Sequence, residues 1–148
     1  MSFWGRQFIS FKEDNHFVTE ANFFKVFSFP LIKGDENTAL ELPGSIVLTE
    51  ETAKRYFGAE DPMGKLLEVQ QGDNKMLFTV TGILQDLPDN SHIEFDMLSS
   101  MSSYPLVKNL EWSWIWTTFV TYGLVQEGTD IRALTEKIQA IPPKWAEG

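Results

Sequence analysis

The chain of 148 residues contains no cysteine, which excludes a disulfide framework, a thiolate nucleophile and any thiolate-held zinc or iron–sulfur centre. It has only two histidines, His16 and His92, so an imidazole base would have to be one of these. Basic residues are few. Twelve Lys+Arg stand against 21 Asp+Glu, a net charge of −9, and their scatter provides no stripe able to displace counterions from DNA or RNA. Apolar runs extend for only a few residues, against the ~20 needed to cross a bilayer. Met1 to Arg6 lacks the basic-then-apolar order of a secretory signal, so if the protein is exported, the segment that directs it is expected outside this sequence. The ten glycines do not cluster, and Gly64-Lys65 lacks the upstream glycine and the downstream hydroxyl residue of a phosphate-binding loop.

What is present is enough for a core: 43% of residues are apolar, 14% aromatic and 22% charged, a balance that argues for folding over disorder. Phe8, Phe11 and Phe17 suit a partly buried extended segment. Phe23, Phe24 and Phe27 fall on one face of a short helix with Asn22 as its cap, and Thr38 to Leu42 suits a further helical turn. Ser45 to Leu48 reads as a short β-branched and apolar strand. Thr49 follows at an N-cap position, Glu50 and Glu51 oppose the helix dipole, Lys54 and Arg55 lie toward the other end, and Gly58 ends the helix. Ala53, Tyr56 and Phe57 then share the face expected to pack on a sheet.

Asp61 to Lys65 reads as a turn, Leu66 to Val69 as extended chain, and Gln71 to Asn74 as a hairpin connection into an alternating strand, Leu77 to Leu84. In that strand Phe78 and Val80, and with them Gly82, are expected to face one way. His92 to Leu98 alternates as well, with Ile93, Phe95 and Met97 on one face. The serines at 99, 100, 102 and 103 with Pro105 read as a flexible joint about which a rigid part could rotate. Trp112, Trp114 and Trp116 recur every second residue, and the run continues as a strand to Val125. Thr129 or Asp130 caps a last helix with an Ile131, Leu134, Ile138, Ile141 stripe. Irregularly interleaved strands and helices with hairpin-like pairs indicate an α+β fold.

Neither histidine lies in a nucleophile-elbow setting, and Ser45 opens a strand without that frame. Asp86, Asp89, Glu94 and Asp96 gather four carboxylates in eleven residues, but without the alternate ligands, central glycine and closing glutamate of a calcium loop. A hydrolase built on His92 with Asp89 or Asp96 is the weakest reading. The indole ladder of Trp112, Trp114 and Trp116 supports either core packing or an exposed platform for sugar rings or a partner protein, the latter implying a carbohydrate-binding or adhesion module. Catalytic, cofactor-binding and metal residues are accordingly expected to be absent.

Three stretches together resemble a known family: Asn22 to Phe27; Ser45 to Ala53 through Phe57-Gly58 with Asp61-Pro62-Met63-Gly64-Lys65; and Phe78 to Ile83. Asp86 to His92 and Thr117 to Ile141 add to the likeness. The family is the MacB-like periplasmic core domain of FtsX-like ABC transporter permeases, in the form common in Bacteroidetes, and the resemblance covers Phe17 to Ile141.

The resemblance implies a mixed, largely antiparallel sheet lobe with a short helix, plus a βα porter-like half lobe. It divides the chain into an N-terminal segment (1–21), a strand–helix–strand lobe (22–98), a joint (99–111) and a porter-like segment (112–148). It also implies that the first half of the porter-like lobe precedes Phe8 in a longer chain. The implied setting is the extracytoplasmic face of the cytoplasmic membrane, reached through membrane segments outside this sequence. The implied function is non-catalytic, relaying movement driven by a cytoplasmic ATPase within a permease dimer to a periplasmic adaptor, lipoprotein or substrate, with no cofactor.

Overall fold

The computed structural model describes residues 6–13, 16–19, 21–71, 74–88, 90–104 and 120–140. Among the described residues eight strands form one sheet: β1 (Arg6–Glu13), β2 (His16–Thr19), β3 (Leu31–Lys33), β4 (Ser45–Thr49), β5 (Leu66–Gln71), β6 (Asn74–Leu84), β7 (Met97–Ser100) and β8 (Val120–Leu124). Their order is β3-β6-β4-β7-β2-β1-β8, with β5 pairing β6. The β4–β6 and β2–β7 pairs are parallel and the other pairs are antiparallel. Helices α1 (Phe23–Val26), α2 (Glu50–Phe57) and α3 (Ile131–Gln139) complete a mixed α+β architecture.

Every residue of β4 is buried, as expected for a central strand covered on both faces. Val47 joins one core with Phe23, Phe24, Leu84, Ile93, Phe95 and Leu98. Ile46 and Leu48 point the other way, into a second core with Val18, Ala53, Phe78, Val80 and Tyr104. Helix α1 therefore covers one face and α2 the other.

Helix α2 begins where the sequence places it. The Thr49 hydroxyl accepts from the Thr52 amide at 3.3 Å and also reaches the buried Thr52 hydroxyl at 2.9 Å. Glu50–Lys54 and Glu51–Arg55 pair at i,i+4 along its surface, and Gly58 ends it at φ +60°. Thr49→Ala is expected to lower unfolding free energy by about 1–2 kcal/mol, because it removes the cap and leaves the Thr52 hydroxyl without that partner. Thr49→Ser should restore most of the loss, as read from urea unfolding midpoints.

Several local expectations are revised. Tyr56 is 54% exposed; the buried face of α2 centres on Thr52 and Ala53, with Phe57 packed beside them. In β6 the pairing with β4 shifts between Ile46 and Val47, where Val80 opposes Ile46 and Gly82 opposes Val47. The extra residue, Thr81, is a bulge that inverts the alternation, so Phe78 and Val80 enter the second core whereas a Cβ on Gly82 would point at Val47.

His92 to Asp96 is not a strand, because Ser91 bonds locally to both the carbonyl and the amide of Ile93. Ile93 and Phe95 still reach the first core, while Met97, at the start of β7, packs on the second. The serines of the expected joint are structured. Ser99 and Ser100 are buried strand residues bonded to Tyr104 and Ser102, and Ser103 accepts from the Gly44 amide within a single 3-10 turn, Met101–Ser103. Residues 105–111 lie outside the described residues.

Thr38 to Leu42 forms successive turns instead of a helix, with Thr38 and Ala39 amides both donating to the Asp35 carbonyl. Helix α3 is capped by Asp130, whose carboxylate accepts from the Ala133 amide at 3.1 Å. Its stripe is covered only in part: Leu134 is half-buried, Ile131 and Ile138 are about half exposed and no residue of α3 is fully buried. Ile141 lies outside the described residues.

Candidate functional site

The carboxylate-rich stretch, whose Glu94 and Asp96 lie on irregular chain and not on a strand face, borders a groove. Thr49, Glu51, Asp86, Leu87, Pro88, Glu94, Phe95 and Asp96 line a concavity of about 270 Å³ at the start of α2. Three of its acids, Glu51, Asp86 and Asp96, have structural partners. Asp86 accepts from the Glu51 amide at 2.8 Å, satisfying one of the free donors at the start of the helix. Arg55 lies 3.6 Å from Asp96 and 3.8 Å from Glu51.

His92 is exposed, and its ring neighbours are Phe27 and Tyr122, at centroid distances of 6.5 and 6.2 Å. Ser45 is 4% exposed within β4, away from any approaching substrate. Asp89 lies outside the described residues, and no more than the backbone placement of His16, opposite Glu13 and Met97, is described. Among the described residues no three His, Asp or Glu side chains are grouped to hold a metal ion, and the one hydroxyl side chain lining the groove, Thr49, is engaged as the cap of α2. Trp112, Trp114 and Trp116 lie outside the described residues.

The Asp61 to Lys65 turn is the other motif of note, and its chemistry is one of attachment. Gly64 adopts φ +76°, a conformation that glycine enters without steric cost. The Gly64 amide donates to the Val80 carbonyl at 2.8 Å, and the Val80 amide donates to the Lys65 carbonyl at 2.9 Å. Asp61 accepts from the Met63 amide at 3.2 Å and from Lys33 at 3.0 Å. The Lys33 hydrogen bond, then that of Met63, holds the Asp61 carboxyl below the ordinary 3.8. Lys65 pairs with Glu60, whose carboxyl it lowers, and its ammonium sits 5.5 Å from the centre of the Phe57 ring. The turn thus binds the end of α2 to β3 and β6, which is why an Asp-Pro-x-Gly-Lys sequence follows this helix.

The sequence profile of the MacB-like periplasmic core domain matches residues 6–141. The chain belongs to that family. This makes it a periplasmic domain of the MacB/FtsX-like ABC transporter permease type, a class of domain that is generally non-catalytic. The MacB-like core domain seen here is similar to a domain ascribed to a permease protein from Porphyromonas gingivalis, with a TM-score of 0.71 and 25% identity over 90% of this chain and 66% of that one. It also shares its fold with the periplasmic region of MacB from Actinobacillus actinomycetemcomitans, with a TM-score of 0.57 and 19% identity over 92% of this chain and 64% of that one. The chain therefore spans slightly less than two thirds of each of these structures. No curated protein matches it.

Among the described residues no helix of this MacB-like domain is long and apolar enough to cross a membrane. The family assignment does not favour the carbohydrate-binding alternative. What sequence reasoning missed is the packing of Tyr122 on Phe27 and His92. Three residues so far apart in the chain leave no periodic trace, and only the β1–β8 pairing brings Tyr122 to the others.

Proposed function

We propose that this domain is a non-catalytic mechanical part on the extracytoplasmic face of an ABC permease. A cytoplasmic ATPase drives the membrane helices, and the domain carries their displacement to its counterpart in a permease dimer and to an adaptor, lipoprotein or substrate outside the membrane. The observation that carries this reading is the continuity of the sheet. Strands from the Phe23-centred body to β8 form one hydrogen-bonded series, so a displacement applied at one end is passed along stiff ladders between close-packed cores. In this reading residues 22–98 supply the body and 112–148 the porter-like segment. The family assignment supports the setting, and the exposed, structurally engaged acids of the groove agree with a part that does no chemistry.

The test uses the full permease with its ATPase in lipid nanodiscs. A spin label on Lys54→Cys, an exposed site in a domain without cysteine, reports the distance between the two copies in a dimer. That distance is expected to differ between the nucleotide-free and ATP-trapped states. Identical distributions in both states would sink the relay.

A further inference from the structure

We propose that Tyr122 is a clasp that holds the β8–α3 arm against the body of the domain, and that the arm opens locally when this contact is lost. Side chains on a strand alternate between faces, so Val120, Tyr122 and Leu124 share one side of β8. Val120 is 49% and Leu124 51% exposed, whereas Tyr122 is half-buried against the first core. Among the described residues it is the one arm side chain that joins either core. On the opposite side, a Cβ added at Gly123 would meet nothing within 4 Å.

Beyond β8, Val125, Ile131 and Ile138 are exposed and α3 has no fully buried residue. Two attachments of the arm are therefore on view. One is the ladder from Arg6↔Leu124 to Ser10↔Val120 with β1; the other is the Tyr122 ring.

Among the described residues that ring meets two separate segments. It is edge-on to Phe27 at 5.2 Å and 74°, and 6.2 Å from His92. Phe27 rests in turn on Phe23 at 5.2 Å and Phe29 at 5.8 Å, so the clasp is anchored in the best-packed aromatic cluster of the body. An element held by few buried contacts opens at lower free energy than the core beside it. Among the described residues Tyr122 is thus the arm's one side-chain link to the two cores, and its loss should let the arm detach without unfolding what it rests on. The clasp is a property of packing and holds or fails independently of any transport role.

Hydrogen exchange on the 148-residue chain tests it. In Tyr122→Ala, amides of residues 120–140 should exchange on the order of tenfold faster or more, since both the aromatic contacts and the apolar burial are lost. Amides of β4 and β6 should keep their protection, and Tyr122→Phe, which retains the ring, should stay within about threefold of the parent. Unchanged exchange in the arm overturns the proposal, because the β1 ladder would then suffice. Exchange rising equally in β4 and β6 overturns it too, because Tyr122 would be an ordinary core residue, as does Tyr122→Phe behaving like Tyr122→Ala. Should Tyr122→Ala fail to fold, His92→Ala, at an exposed position, decides: faster exchange confined to the arm supports the clasp and unchanged exchange overturns it.

Discussion

Phe23→Ala is expected to remove about 3–5 kcal/mol of unfolding free energy, the range for excising a fully buried aromatic ring. Phe23 is 0% exposed and is the hub of the first core. Its ring is edge-on to Phe24 at 5.2 Å and to Phe95 at 5.7 Å, and stacked on Phe29 at 5.7 Å. The four-residue helix α1 could not persist alone, because nucleating a helix costs more than so short a segment returns. It exists because Phe23 and Phe24 are driven into the sheet, and removal of the ring takes away both the burial and the reason for the helix.

Against a typical domain stability of about 5–15 kcal/mol, such a loss leaves little margin. Urea unfolding followed by tryptophan fluorescence measures it, and Phe23→Leu should cost less because it fills most of the void. A loss below about 1.5 kcal/mol would mean that Phe27, Phe29 and Phe95 close over the space. Because Phe27 carries the Tyr122 contact, the same variant should also speed exchange in the arm.

The sequence announced the parts of the fold that local chemistry decides. Thr49, the two glutamates after it and Gly58 state both ends of α2, and each plays the role its type predicts. Thr129 or Asp130 marked the start of α3, and the structure gives the cap to Asp130. The apolar run Ile46 to Leu48 likewise announced a strand, while its cover on both faces comes from the structure. What stayed hidden depends on partners distant in sequence. Nothing near Thr81 states that β6 takes an extra residue opposite β4, because the bulge is fixed by Thr81 itself, whose hydroxyl lies 2.6 Å from the Ala39 carbonyl and 3.1 Å from that of Ile46.

Serines 99 and 100 carry a linker's composition, yet parallel pairing with β2 and antiparallel pairing with β4 make them the middle of a sheet. Composition cannot separate those cases, since a buried serine differs from a solvated one only in its neighbours. The acids of the groove were legible as a group, and their spacing already argued against a calcium loop. That Asp86 would serve the start of α2 was not legible, because it needs residues 51 and 86 side by side.

Gly34→Ala is the second change with a large expected effect, and its cause is backbone against backbone. Gly34 follows β3 at φ +97°, and a Cβ there would lie 2.5 Å from the Thr81 carbonyl oxygen and 3.0 Å from the Gly82 Cα. No rotamer relieves either contact, since both neighbours are main chain. The left-handed conformation alone costs alanine roughly 1–2 kcal/mol, and forcing atoms into a packed site adds roughly 1–3 kcal/mol. A total of about 3 kcal/mol or more is therefore expected.

The damage should spread along β6, because moving Thr81 disturbs the hydroxyl contacts that hold the bulge, and β3 is already irregular between Leu31 and Lys33. Gly82→Ala is the informative control. Its Cβ would meet the Val47 methyl at 3.1 Å, the Lys33 carbonyl at 3.3 Å and the Leu31 methyl at 3.4 Å, and two of those three are side-chain ends that can give way. Gly82→Ala should thus cost less than Gly34→Ala in the same urea titration. Equal losses would show that side-chain relief counts for nothing here, and a Gly34→Ala loss under about 1 kcal/mol would mean that the end of β3 can lift from β6 without penalty.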